Sequence, residues 1–260
     1  MKVPYDIECP KWATDALKDF YIRFERIINF YQESLMMYRL VEGSEAPNNI
    51  SSKKETLITK QFELPPMEIV NRNKGVLKFY PIQLFYNSII NIVSGYEQYL
   101  KEIATELFIW NEELLETNEK QLTTSEILDY HDMDDLKEDL TERAVTKLMM
   151  SSYPNLVSKF ERYFHTGIHD KSSPISLFEM HHLIEVRNII VHNDGHHTSL
   201  FEDRLKQYES KSPLGLDGAY SSPKINFDYI NTFKDKVLLL TQHIDKQIIS
   251  KWATSLSNED

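Results

Sequence analysis

The chain has 260 residues, 41% hydrophobic and 27% charged, an ordinary globular composition with room for one large domain or two small ones. Seven glycines and ten prolines are too few for a sandwich or barrel of many tight turns. A single cysteine, Cys9, excludes an internal disulfide and a cysteine-based metal framework.

The opening MKVPYDIECPKW has no apolar signal-peptide core, and no run approaches the ~18 apolar residues of a membrane span. The expectation is a cytoplasmic protein with no membrane partner. The net charge of −11 is local, because Glu112 to Glu142 holds twelve acids against two bases and so carries −10 of it. Such a stretch reads as a solvated face, or as a surface that repels nucleic acid or docks a basic partner. It leaves room for a nucleic-acid site elsewhere, although no basic stripe advertises one.

From about Lys11 to Leu40, apolar residues at Leu17, Phe20, Phe24, Ile27, Tyr31 and Leu35 keep the three-and-four spacing of one buried helix face. Glu42 to Glu55 has linker composition. TLITKQFEL and GVLKFY, between residues 56 and 80, read equally as a short strand pair or as an extended arm. A second helix is expected from about Pro81, a residue suited to a first turn. Its series Ile82, Phe85, Ile89, Ile92, Tyr96, Tyr99, Ile103, Leu107 and Trp110 is the cleanest periodic signal in the chain. Beside that stripe lies Glu97, a flank charge or a partner for an arginine.

Asp132 is an expected N-cap for a helix to about Met150, and Tyr153-Pro154 starts another. Ser172-Ser173-Pro174 reads as the start of a helix that runs to His192 and stops at Asn193-Asp194-Gly195, where glycine suits a left-handed position. Residues 210 to 223 read as a loop. A last helix from about Asp228 to Trp252 carries Ile230, Phe233, Val237, Leu240, Ile244 and Ile248. The chain is therefore expected to be all-α, with an N-terminal helix and linker over 1–80, a bundle over 81–252 and a tail over 253–260.

The helix ending EVRNIIVHNDG, Glu185 to Gly195, carries the functional question. At about 100° per residue from Leu177, Met180, Ile184, Val191, Leu183 and Ile190 share an arc of roughly 220–340°, and Arg187 falls near 280° within it. Asn188, His181, His192 and Glu185 fall at about 20–80°, as one polar edge. A guanidinium at a core position needs a carboxylate, a phosphate or water, since an unpaired buried charge costs several kcal/mol. Glu97 and Glu185 are its candidate carboxylates. Histidines also suggest metal, but Glu179 and His182 form only half of a paired Glu-x-x-His site, with no second copy in the chain.

RNIIVH, Arg187 to His192, resembles the Arg-x4-6-His motif of the HEPN superfamily, down to a polar residue directly after the arginine. The order of SGYEQYLKEI, the motif helix ending in HNDG, and a final amphipathic helix is similar to that family from about Pro81 to Trp252. The resemblance implies a bundle of about four core helices and a metal-independent endoribonuclease needing no cofactor. It further implies a homodimer of toxin or phage-defence type, with an antitoxin or defence-system protein as a further partner. Arg187 would hold the phosphate of an RNA substrate, His192 would act as general acid/base and Asn188 would orient it or hold a phosphate oxygen, with Asn193 and Glu97 touching substrate. Histidine's ordinary pKa and arginine's planar fork suit those tasks. The alternative is a catalytically inactive dimeric binding or scaffold module. Asp194 stands where one branch of the family carries a modifiable tyrosine, a departure that argues against that regulation.

Overall fold

A computed structural model describes residues 9–44, 74–116, 122–123, 125, 127, 129–193, 195, 199–206 and 225–256. Among them the chain is all-helical. Eight helices follow in order: α1 (Asp15–Ser44), α2 (Lys74–Trp110), α3 (Glu113–Glu116), α4 (Met133–Met149), α5 (Tyr153–Phe164), α6 (Leu177–Asn193), α7 (Ser199–Lys206) and α8 (Phe227–Leu256). No helix among the described residues is long and apolar enough to cross a membrane.

The regular series on α2 explains the architecture. Ile89, Ile92, Tyr96, Tyr99, Ile103 and Leu107 are fully buried, and α2 packs against α1, α4, α6 and α8. A helix apolar on most of its circumference has to be surrounded. Leu17, Phe20, Phe24 and Tyr31 of α1 and Ile230, Phe233, Val237, Leu240, Ile244 and Ile248 of α8 join the same core. The N-terminal helix thus lies on the bundle rather than apart from it. Asp245, buried on α8, ties the two together by accepting from the Thr14 backbone N–H at 3.0 Å and the Thr14 hydroxyl at 2.5 Å.

Three local expectations are corrected. GVLKFY is not a strand, because α2 begins at Lys74 and Pro81 sits inside it. The chain's apolar demand over Leu84 to Leu107 extends the helix through a proline that composition alone would place at its start. TLITKQFEL lies outside the described residues. Ser172-Ser173-Pro174 does not start α6. Instead Asp170 gathers Ser172 in a turn, accepting from its N–H and its hydroxyl at 2.7 Å each. The cap is Ser176, whose hydroxyl accepts from the Glu179 N–H at 3.2 Å while the Glu179 carboxylate accepts from the Ser176 N–H at 3.0 Å. That reciprocal pair is a capping box, legible as SLFE at 176–179.

The third correction is the face of α6. Met180 to Val186 are all buried, including His181 and Glu185 of the expected polar edge, whereas Val191 of the expected core is 50% exposed. The reason is α7, which folds back on α6 with Phe201 buried. The other starts and stops fall as the sequence suggests. Asp132 accepts from the Asp134 and Asp135 N–H groups at 3.0 and 2.9 Å, Tyr153 opens α5, and Gly195 is left-handed at φ 78°.

Candidate functional site

Arg187 and Glu97 meet between α6 and α2, with the Arg187 Nη2 donating to Glu97 Oε1. The guanidinium sits where the apolar arc of α6 faces α2, and Glu97 flanks the apolar stripe of α2 on the side turned to it. The arginine side chain is 19% exposed and the glutamate 35%, so the pair lies at the bundle edge and not inside it. Burial pushes the Glu97 carboxyl above the ordinary glutamate value, against the pull of the Arg187 charge and hydrogen bond. Arg187 Nε is buried with no hydrogen-bond partner among the described residues. Among the described residues, one of the five N–H donors on the fork is bonded.

The pair opens onto a cleft of about 780 Å³. Arg187, Asn188, Ile184, Glu185 and His181 of α6 form one wall, Glu97 and Leu100 of α2 another, and the segment Met149 to Leu156, where α4 gives way to α5, a third. Arg204 of α7 reaches in and donates to Glu185 Oε2 at 3.1 Å, while Asn188 donates to Glu185 Oε1 at 3.3 Å. Burial lowers the His181 pKa, with the Glu185 charge working the other way. The cleft therefore holds two cations and two carboxylates in matched pairs.

Glu97, Arg187 and Asn188 are brought together as the sequence suggested. His192 and Asn193 are not at this wall. Both are exposed on the last turn of α6, about 7.5 Å along the axis and about 140° around it from Arg187. The helix stays regular through Asn193, so no local unwinding swings His192 toward the arginine. Its end is fixed instead by Gly195, whose N–H reaches back to the Ile189 carbonyl at 3.0 Å. Glu179, half of the imagined metal motif, accepts from Lys236 Nζ at 2.5 Å and from Ser176.

Comparison with family models, with characterised proteins and with solved structures finds no match.

Sequence reasoning missed Arg204 and the 149–156 wall. Arg204 left no signal, because an eight-residue helix packed by one buried phenylalanine resembles a loop in composition. The start of α5 was legible from Tyr153-Pro154, but nothing in the sequence tied it to Arg187.

Proposed function

We propose that the protein is a metal-independent endoribonuclease of the toxin or phage-defence kind, working as a homodimer. The observation that carries the reading is Arg187. It is a cation at the wall of an open cleft, held by one carboxylate and with donors to spare. A guanidinium so placed takes a second anion readily, and the planar fork matches phosphate oxygens. Asn188 beside it adds an amide donor within the same wall.

In the reaction the ribose 2′-oxygen attacks its own 3′-phosphorus. The new O–P bond forms as the P–O5′ bond breaks, leaving a 2′,3′-cyclic phosphate and a 5′-hydroxyl. Arg187 offsets the charge that grows on the phosphate oxygens. An imidazole takes the 2′-hydroxyl proton, and one returns a proton to the leaving oxygen. Because the His192 of one chain stands around the helix from its own Arg187, the acid/base work at each arginine falls to the His192 of a second copy. Asn193 and the displaced Glu97 border the same substrate.

Cleavage of transfer RNA and total RNA in EDTA tests this. Wild type is expected to leave cyclic phosphate ends, and Arg187→Ala and His192→Ala, both folded and in the wild-type oligomeric state, to lose about 10²–10⁴-fold in rate. Mixing the two variants is expected to restore about a quarter of the activity if the groups come from different chains, whereas inactivity of the mixture would sink the two-chain arrangement. Full activity in either single variant would sink the mechanism. The ion pair to Glu97 also suits an inactive scaffold module. That reading expects both substitutions to dissolve the assembly without any RNA cleavage by wild type.

A further inference from the structure

A second concavity adjoins the cleft. It has a volume of about 510 Å³ and shares Met150, Ser151, Ser152 and Asn155 with the first, then continues along α5 past Ser158, Lys159 and Arg162. Its electrostatics differ. The cleft's two cations each face a carboxylate, whereas no carboxylate lines the second basin. Lys159 Nζ donates to the Ser151 hydroxyl at 2.7 Å. Arg162 lies 4.7 Å from the Tyr163 ring centroid and donates to the Tyr163 hydroxyl at 2.8 Å. Among the described residues, both cations are thus positioned by neutral groups and not by a carboxylate.

The sequence of α5 places them. Leu156, Val157, Phe160 and Phe164 are buried, which turns Asn155, Ser158, Lys159 and Arg162 to the opposite face at steps of three and four. Ser152 and Asn155, at the start of this helix, line both basins. In a chain of net charge −11, a carboxylate-free basic strip running out of the cleft is a track for an anionic polymer.

We propose that this strip is the backbone-binding groove for single-stranded RNA, with Lys159 and Arg162 on successive phosphates flanking the one at Arg187. The ligand class rests on the ribonuclease reading. The strip itself rests on the continuity of the two basins and on two cations that no carboxylate among the described residues pairs. Binding strength then comes from α5 and chemistry from α6, so the two are separable by mutation.

The test uses a short, uncleavable, fully 2′-O-methylated oligouridylate and the full chain, with folding of each variant checked by circular dichroism. Lys159→Gln/Arg162→Gln is expected to weaken binding roughly 10-fold at moderate salt. It should also flatten the slope of log affinity against log salt by about 1.4, at ~0.7 per phosphate contact on a single strand. On cleavable RNA the same pair is expected to raise KM and leave kcat unchanged. Lys18→Gln/Lys246→Gln, outside both basins, is the charge-matched control and is expected to change neither quantity. Binding and KM unchanged in the α5 pair, or no oligonucleotide binding by wild type, overturns the groove. Wild type that binds with the stated dependence on Lys159 and Arg162, yet cleaves nothing, overturns the ribonuclease reading and leaves the groove standing.

Discussion

Arg187 shows how a residue's environment sets its use. Buried and alone it would be costly; fully exposed it would be ordinary. At 19% exposure with one carboxylate, it is desolvated enough to bind an anion strongly and paired enough to be tolerated without one. On the proposed ribonuclease reading, Glu97 competes with the substrate phosphate for the same guanidinium. Glu97→Gln keeps the shape and removes the competing charge, and it is expected to tighten binding of the uncleavable oligonucleotide about 3- to 10-fold, read by fluorescence anisotropy. The effect should shrink at high salt. Unchanged affinity would mean that phosphate never displaces Glu97. The pairing itself was foreseeable, since a lone cation on an apolar arc demands a carboxylate and Glu97 flanked the strongest apolar stripe. The mixed fate of the motif was foreseeable only in part. Helix angles place His192 away from Arg187, but no angle reveals that the cleft is walled by residues 149–156.

The helices were legible wherever their caps and periods agreed. Asp132 and Tyr153-Pro154 mark the starts of α4 and α5, the apolar series marks α8, and each lies where expected. The failures have separate causes: a local turn at Asp170 and a cap at Ser176 move the start of α6, and the next helix in the chain buries part of its expected polar edge. α7 covers His181 and Glu185, so the α6 pattern mixes polar residues into its buried face and blurs the period. The end of α6 is more tightly specified. Gly195 is left-handed, and a Cβ there would collide with the Tyr86 ring of α2. Gly195→Ala is expected to lower stability by about 2 kcal/mol or more, combining the backbone penalty with overpacking. Urea denaturation measures it. A loss below about 0.5 kcal/mol would show that the turn relaxes freely, and that the last turn bearing His192 is not held by this contact.

For the molecule as a whole, buried ionisable groups set how stability follows pH. Glu106 accepts from the Ala16 N–H at the start of α1, and burial, only partly offset by that bond, raises its carboxyl to about 7. The folded chain then holds this proton between pH 4.5 and 7 while the unfolded chain has lost it. Stability from this group is greatest at low pH and declines as pH rises through that window. His169 acts oppositely. Burial lowers it to about 4, against the opposing pull of the Ile175 carbonyl 3.0 Å from its Nδ1; its Nε2 faces the Tyr153 hydroxyl at 2.6 Å. Its contribution is present above pH 6.5 and is lost as pH falls toward 4. Glu106→Gln is expected to gain on wild type by about 1–2 kcal/mol between pH 5 and 7.5, after allowance for solvent screening. Parallel urea curves at the two pH values check it, and an equal difference at both would place Glu106 near its ordinary value.

The tie between Thr14 and Asp245 spans 231 positions, and it has a meaning in time as well as in space. A ribosome adds about 5–20 residues per second, so Thr14 waits roughly 10–50 s for its carboxylate to be made. In the later part of that interval, once α2 is complete at Trp110, α1 and α2 lack α8 against them, and α2 keeps uncovered the apolar surface that α8 will bury. The cleft lies between elements that α2 organises. A nascent chain therefore has its arginine and histidine made, but not yet mounted, until the final helix has been synthesised.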